Sequence, residues 1–158
     1  MTRKSPSIRY ERLVAQPFSL IVSAPHKFAD RKSVQLSELE GERLVLLPDS
    51  FDMRRAADVV LLQGKVHPRV IFEIDSIDAV LSSVLHANVP TLLPAIVLRG
   101  RQMPSLRAIP LAGKTRQMEF GILWPGSNHS DPATLAVAAA LKASIETARP
   151  RAKGHSAK

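Results

Sequence analysis

Cysteine is absent from the chain, which excludes a disulfide framework, a thiolate zinc site and a thiol nucleophile. Aromatic residues are scarce, at five Phe, one Trp and one Tyr, and they do not interleave with basic residues. No stacking platform for single-stranded nucleic acid is therefore laid out. No apolar run approaches the ~20 residues of a membrane span. The first eight residues are basic but lack the apolar stretch of a secretory signal, so the expected location is the cytoplasm. The nucleophile elbow G-x-S-x-G, the Walker pattern and G-x-G-x-x-G are all missing. His26, His67, His86, His129 and His155 form no pair at metal-ligand spacing, so neither a metal nor a cofactor is expected.

What is present is ordinary globular composition. The 158 residues are 45% hydrophobic and 23% charged. A chain of this length buries roughly two thirds of its unfolded surface, so its core needs no staples. The net charge of +8 is unevenly placed: the first twelve residues carry +3 and the last twelve +4, leaving +1 between them. Two basic tails, 1–12 and 148–158, are read here as solvated ends rather than as a nucleic-acid-binding face.

Between the tails, strand-like and helix-like periods alternate. Phe18, Leu20 and Val22 mark a strand over 18–22. Ser37 and Glu40 have the spacing of a capping box, and Gly41 ends that turn. Residues 44–47 are a compact apolar run of the kind buried in parallel sheets. A helix over 51–63 follows, with Met53, Ala56, Ala57, Val60 and Leu61 on one stripe and Gly64 as its left-handed cap. A strand over 69–74 leads to a helix capped by Asp75 or Ser76, whose stripe is Ile77, Val80, Leu81, Val84 and Leu85. Short strands are predicted over 91–93 and 107–111, and a longer one over 118–124. Asp131 and Pro132 open a last helix, with Val137, Leu141 and Ile145 on its buried side. The alternation predicts βαβ units and an α/β fold with a largely parallel sheet.

No catalytic constellation stands out in the sequence. Ser127, His129 and Asp131 hold the letters of a triad, but such close neighbours cannot align hydroxyl, imidazole and carboxylate beside an oxyanion hole. Asp131 is better used as a helix cap, and Glu73 and Asp75 read as solvated carboxylates. The region suited to recognition is Leu47-Pro-Asp-Ser-Phe-Asp52, a strand end, a polar loop and a helix N-terminus in succession. Ligands collect at the carboxyl ends of parallel strands, and a helix N-terminus offers free N–H groups to an anion. Ser50 adds a hydroxyl and Phe51 an apolar cover. Asp49 competes with an anion for the same dipole. A second strand end, with Thr91 and Leu93, is expected to open on the same side.

Taken in order, these segments resemble the effector-binding domain of LysR-type transcriptional regulators. The matching run is Pro17-Phe-Ser-Leu-Ile-Val22, Val34-x-Leu-Ser-Glu-Leu39, Leu44-Val-Leu-Leu-Pro48, Gly64 with His67-Pro68, Val70-Ile-Phe-Glu-Ile-Asp-Ser-Ile77, Leu92-Leu-Pro94 and the strand from Phe120 to Trp124. Regulators of cyanate-utilisation operons look most alike, because Asn88-Val-Pro90-Thr91 stands where the family has Gly-x-Gly. Pro25-His-Lys-Phe28 replaces the family's His-Pro-Leu.

The resemblance implies a periplasmic-binding-protein-like fold of type 2. One complete lobe with a mostly parallel sheet (25–117) is joined by crossover strands to an incomplete lobe, of which 118–147 supply a crossover strand and the final helix. The effector-binding domain as a whole would cover 13–147. It implies a small-molecule effector, an anion, held against Pro48, Asp49, Ser50 and Phe51, with Thr91 and Leu93 beside them. It also implies a homo-oligomer, no catalysis and no membrane. DNA would be read only through a winged helix-turn-helix, which residues 1–12 are too short to hold, so a truncated regulator is expected. Two other readings stay open: a small α/β enzyme for a small anionic substrate, and a nucleic-acid binder acting through its basic tails.

Overall fold

The computed structural model describes residues 8–125 and 131–147. Nine principal elements follow in order: β1 (Ile8–Ser23), β2 (Arg43–Leu46), α1 (Asp52–Gly64), β3 (Arg69–Glu73), α2 (Ile77–Ala87), β4 (Thr91–Pro94), β5 (Leu106–Pro110), β6 (Gln117–Pro125) and α3 (Pro132–Thr147). The chain divides into two compact units, one made of residues 16–118 and the other of the residues before and after them.

In the larger unit, the second half of β1 lies between two antiparallel neighbours. Phe18 faces Pro94 and Ile21 faces Thr91 on β4, while Ser19 faces Pro110 and Ser23 faces Leu106 on β5. β2 and β3 pair in parallel from Arg43 and Arg69 to Leu46 and Glu73, with a bulge between Leu44 and Val45. The Val45 N–H donates to Pro90 O (3.0 Å), which brings the start of β4 beside β2. The parallel pair with α1 between its strands is the βαβ unit that the alternation predicts.

Strand periodicity sorts the core into two clusters. Phe18, Leu20 and Val22 of β1, Leu44 and Leu46 of β2, and Leu92 of β4 pack with Ala56, Ala57, Val60 and Leu61 of α1. The alternate positions, Ile21, Val45, Leu47 and Leu93, pack with Val80, Leu81 and Val84 of α2. A strand buried on both faces needs apolar residues at successive positions, and Leu44 to Leu47 supplies them. Each buried aliphatic side chain contributes about 1.5–3 kcal/mol against exposure.

Several local details differ from the sequence reading. The left-handed residue ending α1 is Lys65 (φ 52°), not Gly64. Gly64 answers a packing need instead, because a Cβ there would lie 2.7 Å from Leu36 Cβ. The turn at Leu36–Leu39 is closed by the Gln35 N–H on Glu38 Oε2 (2.8 Å), not by Ser37 and Glu40. Glu40 is engaged elsewhere, accepting from the His67 N–H at 2.7 Å. Ser76 caps α2 as expected, accepting from the Ala79 N–H at 3.4 Å.

In the smaller unit, residues 8–12 are part of a strand rather than of a basic tail. β6 pairs with β1, and its charged residues find partners across the pair. Arg12 Nη1 meets Glu119 Oε1 (3.3 Å), and the Arg9 guanidinium lies 5.6 Å from the Trp124 ring centroid. Glu11 accepts from Trp124 Nε1 (2.9 Å) and Lys142 Nζ (2.6 Å). The bonds from Lys142 and Trp124 hold the Glu11 carboxyl below the usual glutamate range. Residues 1–7 and 148–158, including the expected C-terminal tail, lie outside the described residues. Asp131 caps α3, accepting from the Thr134 N–H (3.0 Å) and hydroxyl (2.6 Å). Those bonds lower its carboxyl pKa. The face of α3 expected to be buried is covered only in part: Val137 is 69% and Leu141 45% exposed, Ile145 is half-buried, and Ala138, expected as padding on that side, is buried. No described helix is long and apolar enough to cross a membrane.

Candidate ligand-binding loop

The chain leaves β2 through buried Leu47 and half-buried Pro48, turns at exposed Asp49 and Ser50, and enters α1 after Phe51. Proline at the strand end stops further pairing, and Asp-Ser suits the turn that follows. The Phe51 N–H donates back to Pro48 O (3.1 Å), closing the turn. Phe51 takes the N-cap position, where its side chain offers no acceptor to the first turn of α1.

Two arginines on that first turn complete the loop. Arg54 Nη1 donates to Leu47 O (2.7 Å) and to Glu73 Oε1 at the end of β3 (2.5 Å). Its Nε donates to Asp58 Oδ1 (3.0 Å) and Oδ2 (3.2 Å) one turn along α1. Burial works against the guanidinium charge, but the bonds from Glu73 and Asp58 outweigh it and the pKa is raised. Arg55 Nη1 donates to Asp49 O (3.1 Å) and Ser50 O (3.4 Å), and its other nitrogen pairs with Asp52. The four consecutive carbonyl oxygens of residues 47–50 therefore all accept a hydrogen bond within the protein. Among the described residues, no acceptor meets the N–H groups of Asp49, Ser50, Asp52 and Met53. A segment with engaged backbone acceptors and open amides, at the positive end of a helix dipole, favours a ligand that brings oxygen acceptors, with the exposed Asp49 carboxylate as its competitor there.

Of the residues singled out in the sequence, Pro48, Asp49, Ser50 and Phe51 share this loop. Thr91 and Leu93 do not reach the surface beside it. Both are buried on β4, Leu93 among Val45, Leu47 and Val80, and the Thr91 hydroxyl has no hydrogen-bond partner. Arg54 and Arg55 were not anticipated. The one signal for Arg54 is its spacing from Asp58, the (i, i+4) pair of a helix face.

The remaining candidates have structural employment. Asp131 is a cap, Glu73 serves Arg54, and Ser127 and His129 lie outside the described residues. His26 is half-buried at the far end of β1, its Nδ1 accepting from the Phe28 N–H (3.3 Å). Burial lowers its pKa, with Glu42 opposing the shift and Lys27 adding to it. Among the described residues, no group of three or more His, Asp or Glu is placed to hold a metal ion.

Comparison with known proteins gives the family and the fold. The chain matches the family described as LysR substrate binding domain over residues 2–146. It is 25% identical over 117 residues to YybE, an uncharacterized HTH-type transcriptional regulator of Bacillus subtilis (strain 168). That match covers 74% of this chain but 39% of the relative, so the chain spans about two fifths of the relative's length. Among solved structures it is similar in fold to the Synechocystis PCC6803 CcmR regulatory domain in complex with 2-PG. There the TM-score is 0.77 at 15% identity, covering 94% of this chain and 72% of that one. The effector binding domain of QuiR in complex with shikimate gives a TM-score of 0.72 at 13% identity, covering 95% and 71%. With the family matched over nearly its whole length and the fold shared with two regulatory domains, this chain belongs to the LysR substrate-binding domain family.

Proposed function

We propose that the chain is the effector-sensing part of a LysR-type transcriptional regulator, that it carries out no catalysis, and that it binds a small anion at Pro48, Asp49, Ser50 and Phe51. The observation that carries this reading is the loop whose carbonyl oxygens are all engaged while the amides of Asp49, Ser50, Asp52 and Met53 stay open. Two relatives in fold support it by what they hold, 2-PG in the CcmR regulatory domain and shikimate, a carboxylate, in QuiR. Thr91 and Leu93 act from behind, as packing under the loop rather than as contacts. The Asn88-Val-Pro90-Thr91 segment, by which the chain resembles cyanate-operon regulators, puts cyanate first among the anions to try. The chain works in the cytoplasm as a homo-oligomer. Operator DNA is read by a helix-turn-helix, and among the described residues no two helices are joined by a short turn. Effector binding switches the regulator only insofar as it favours one arrangement of the protein over another.

The test is a thermal-shift and calorimetric panel of cyanate, phosphate, acetate and shikimate on the folded chain. A ligand present at a hundred times its Kd stabilises by about 2.7 kcal/mol, which moves the melting temperature by several degrees. At least one anion is expected to do so, and Ser50→Pro, which removes an open amide, is expected to abolish the shift. A folded sample unmoved by the whole panel overturns the reading.

A further inference from the structure

We propose that Arg54 is the positioning residue of the ligand loop: its guanidinium fixes the loop's backbone so that the open amides are presented together, and thereby sets affinity for anions. The proposal rests on reading the 48–51 loop as the binding site. It begins from an imbalance. Arg54 has a side chain only 13% exposed, yet it lies on the first turn of α1, where a cation is disfavoured by the helix dipole. A buried charge at the wrong end of a dipole persists only if several groups hold it.

They do. Glu73 at the end of β3, Asp58 on α1 and the Leu47 carbonyl at the end of β2 converge on one planar group (2.5, 3.0 and 2.7 Å). Three elements are thus tied at the point where the loop begins. The fork geometry matters, because Nε and Nη1 serve different partners at once and a lysine ammonium cannot span them in the same way. Engagement of Leu47 O turns the first loop carbonyl toward α1. The Phe51 N–H on Pro48 O and Arg55 on Asp49 O and Ser50 O do the same for the next three. Arg55 is exposed and its contacts can form and break with solvent, whereas Arg54 is withdrawn from it.

The experiment uses the 15N-labelled full chain and inorganic phosphate as probe, with wild type, Arg54→Lys and Glu73→Gln compared. Glu73 is half-exposed, so the second variant loosens the clamp from its far end and keeps the comparison valid if Arg54→Lys folds poorly. Without ligand, the Phe51 amide is expected to exchange about tenfold faster in both variants, the effect of losing one charge-assisted hydrogen bond, while Leu20 and Leu92 in the core do not change. Phosphate is expected to shift the Asp49, Ser50 and Asp52 amides in wild type and to bind about tenfold more weakly in both variants. If the variants only lower the melting temperature, with loop exchange and phosphate affinity of the folded protein unchanged, Arg54 is structural and the proposal is overturned while the loop site stands. If phosphate leaves those three amides unmoved in wild type, the loop site itself fails and the proposal with it.

Discussion

A hydroxyl withdrawn from water needs an acceptor, and at Thr91 none is present. The register sets it opposite Ile21, and an unpaired buried polar group costs about 1–3 kcal/mol. Thr91→Val keeps the shape and β-branching and removes the unpaired group. It is expected to raise stability by about 1 kcal/mol in urea denaturation and to leave anion affinity unchanged. A loss of affinity would instead give Thr91 a direct part in binding. The same residue marks the limit of what the sequence can say at this scale. A threonine next to a strand end reads as a hydroxyl on offer, and only the register with Ile21 shows that it lies inside the sheet. Ser50 was legible because turn chemistry is local. Arg54 was not, since its partners Leu47 and Glu73 come together only through tertiary structure.

At the level of elements, α1 and α2 were legible because each carries one apolar stripe at helical spacing, and burial follows those stripes closely. The end of α1 was misread for a physical reason. Glycine has two uses, positive φ and close approach, and a sequence does not distinguish them. Here Lys65 takes the positive φ and Gly64 the close approach to Leu36. The two uses predict opposite mutational signs. Gly64→Ala drives a methyl against Leu36 and is expected to destabilise by about 1–3 kcal/mol. Lys65→Gly relieves a left-handed lysine and is expected to stabilise by about 0.5–1 kcal/mol. Paired urea titrations decide the matter, and signs the other way round would restore glycine as the cap. The start of β1 escaped notice for another reason. Arg9, Glu11 and Arg12 mask the alternation of a strand, and their partners on β6 and α3 lie more than a hundred residues away.

For the molecule as a whole, the distribution of exposed apolar surface is the informative quantity. Among the described residues ten large apolar side chains are exposed: Phe51, Leu62, Val70 and Phe72 in the larger unit, and Ile8, Tyr10, Leu123, Leu135, Val137 and Leu141 in the much shorter segments of the smaller one. That unit also contains an open groove of about 380 Å³ whose walls include Trp124, Val137, Ala138 and Leu141. Apolar surface concentrated in one region drives association, because each exposed aliphatic side chain that is covered returns about 1.5–3 kcal/mol. A net charge of +8 opposes the approach of two copies, and salt screens that repulsion. The homo-oligomer proposed above therefore carries a distinctive signature: self-association that strengthens as ionic strength rises, as expected for apolar contact between like-charged partners. Light scattering behind size-exclusion chromatography, at low and at moderate salt, is expected to show the shift from monomer to oligomer in wild type. Val137→Lys combined with Leu141→Lys places two like charges one turn apart on the groove and is expected to hold the chain monomeric, with phosphate affinity at the 48–51 loop unchanged. A wild-type chain that stays monomeric in both conditions would remove the oligomer from the proposed function while leaving the anion site untouched, since that site is built from the other unit.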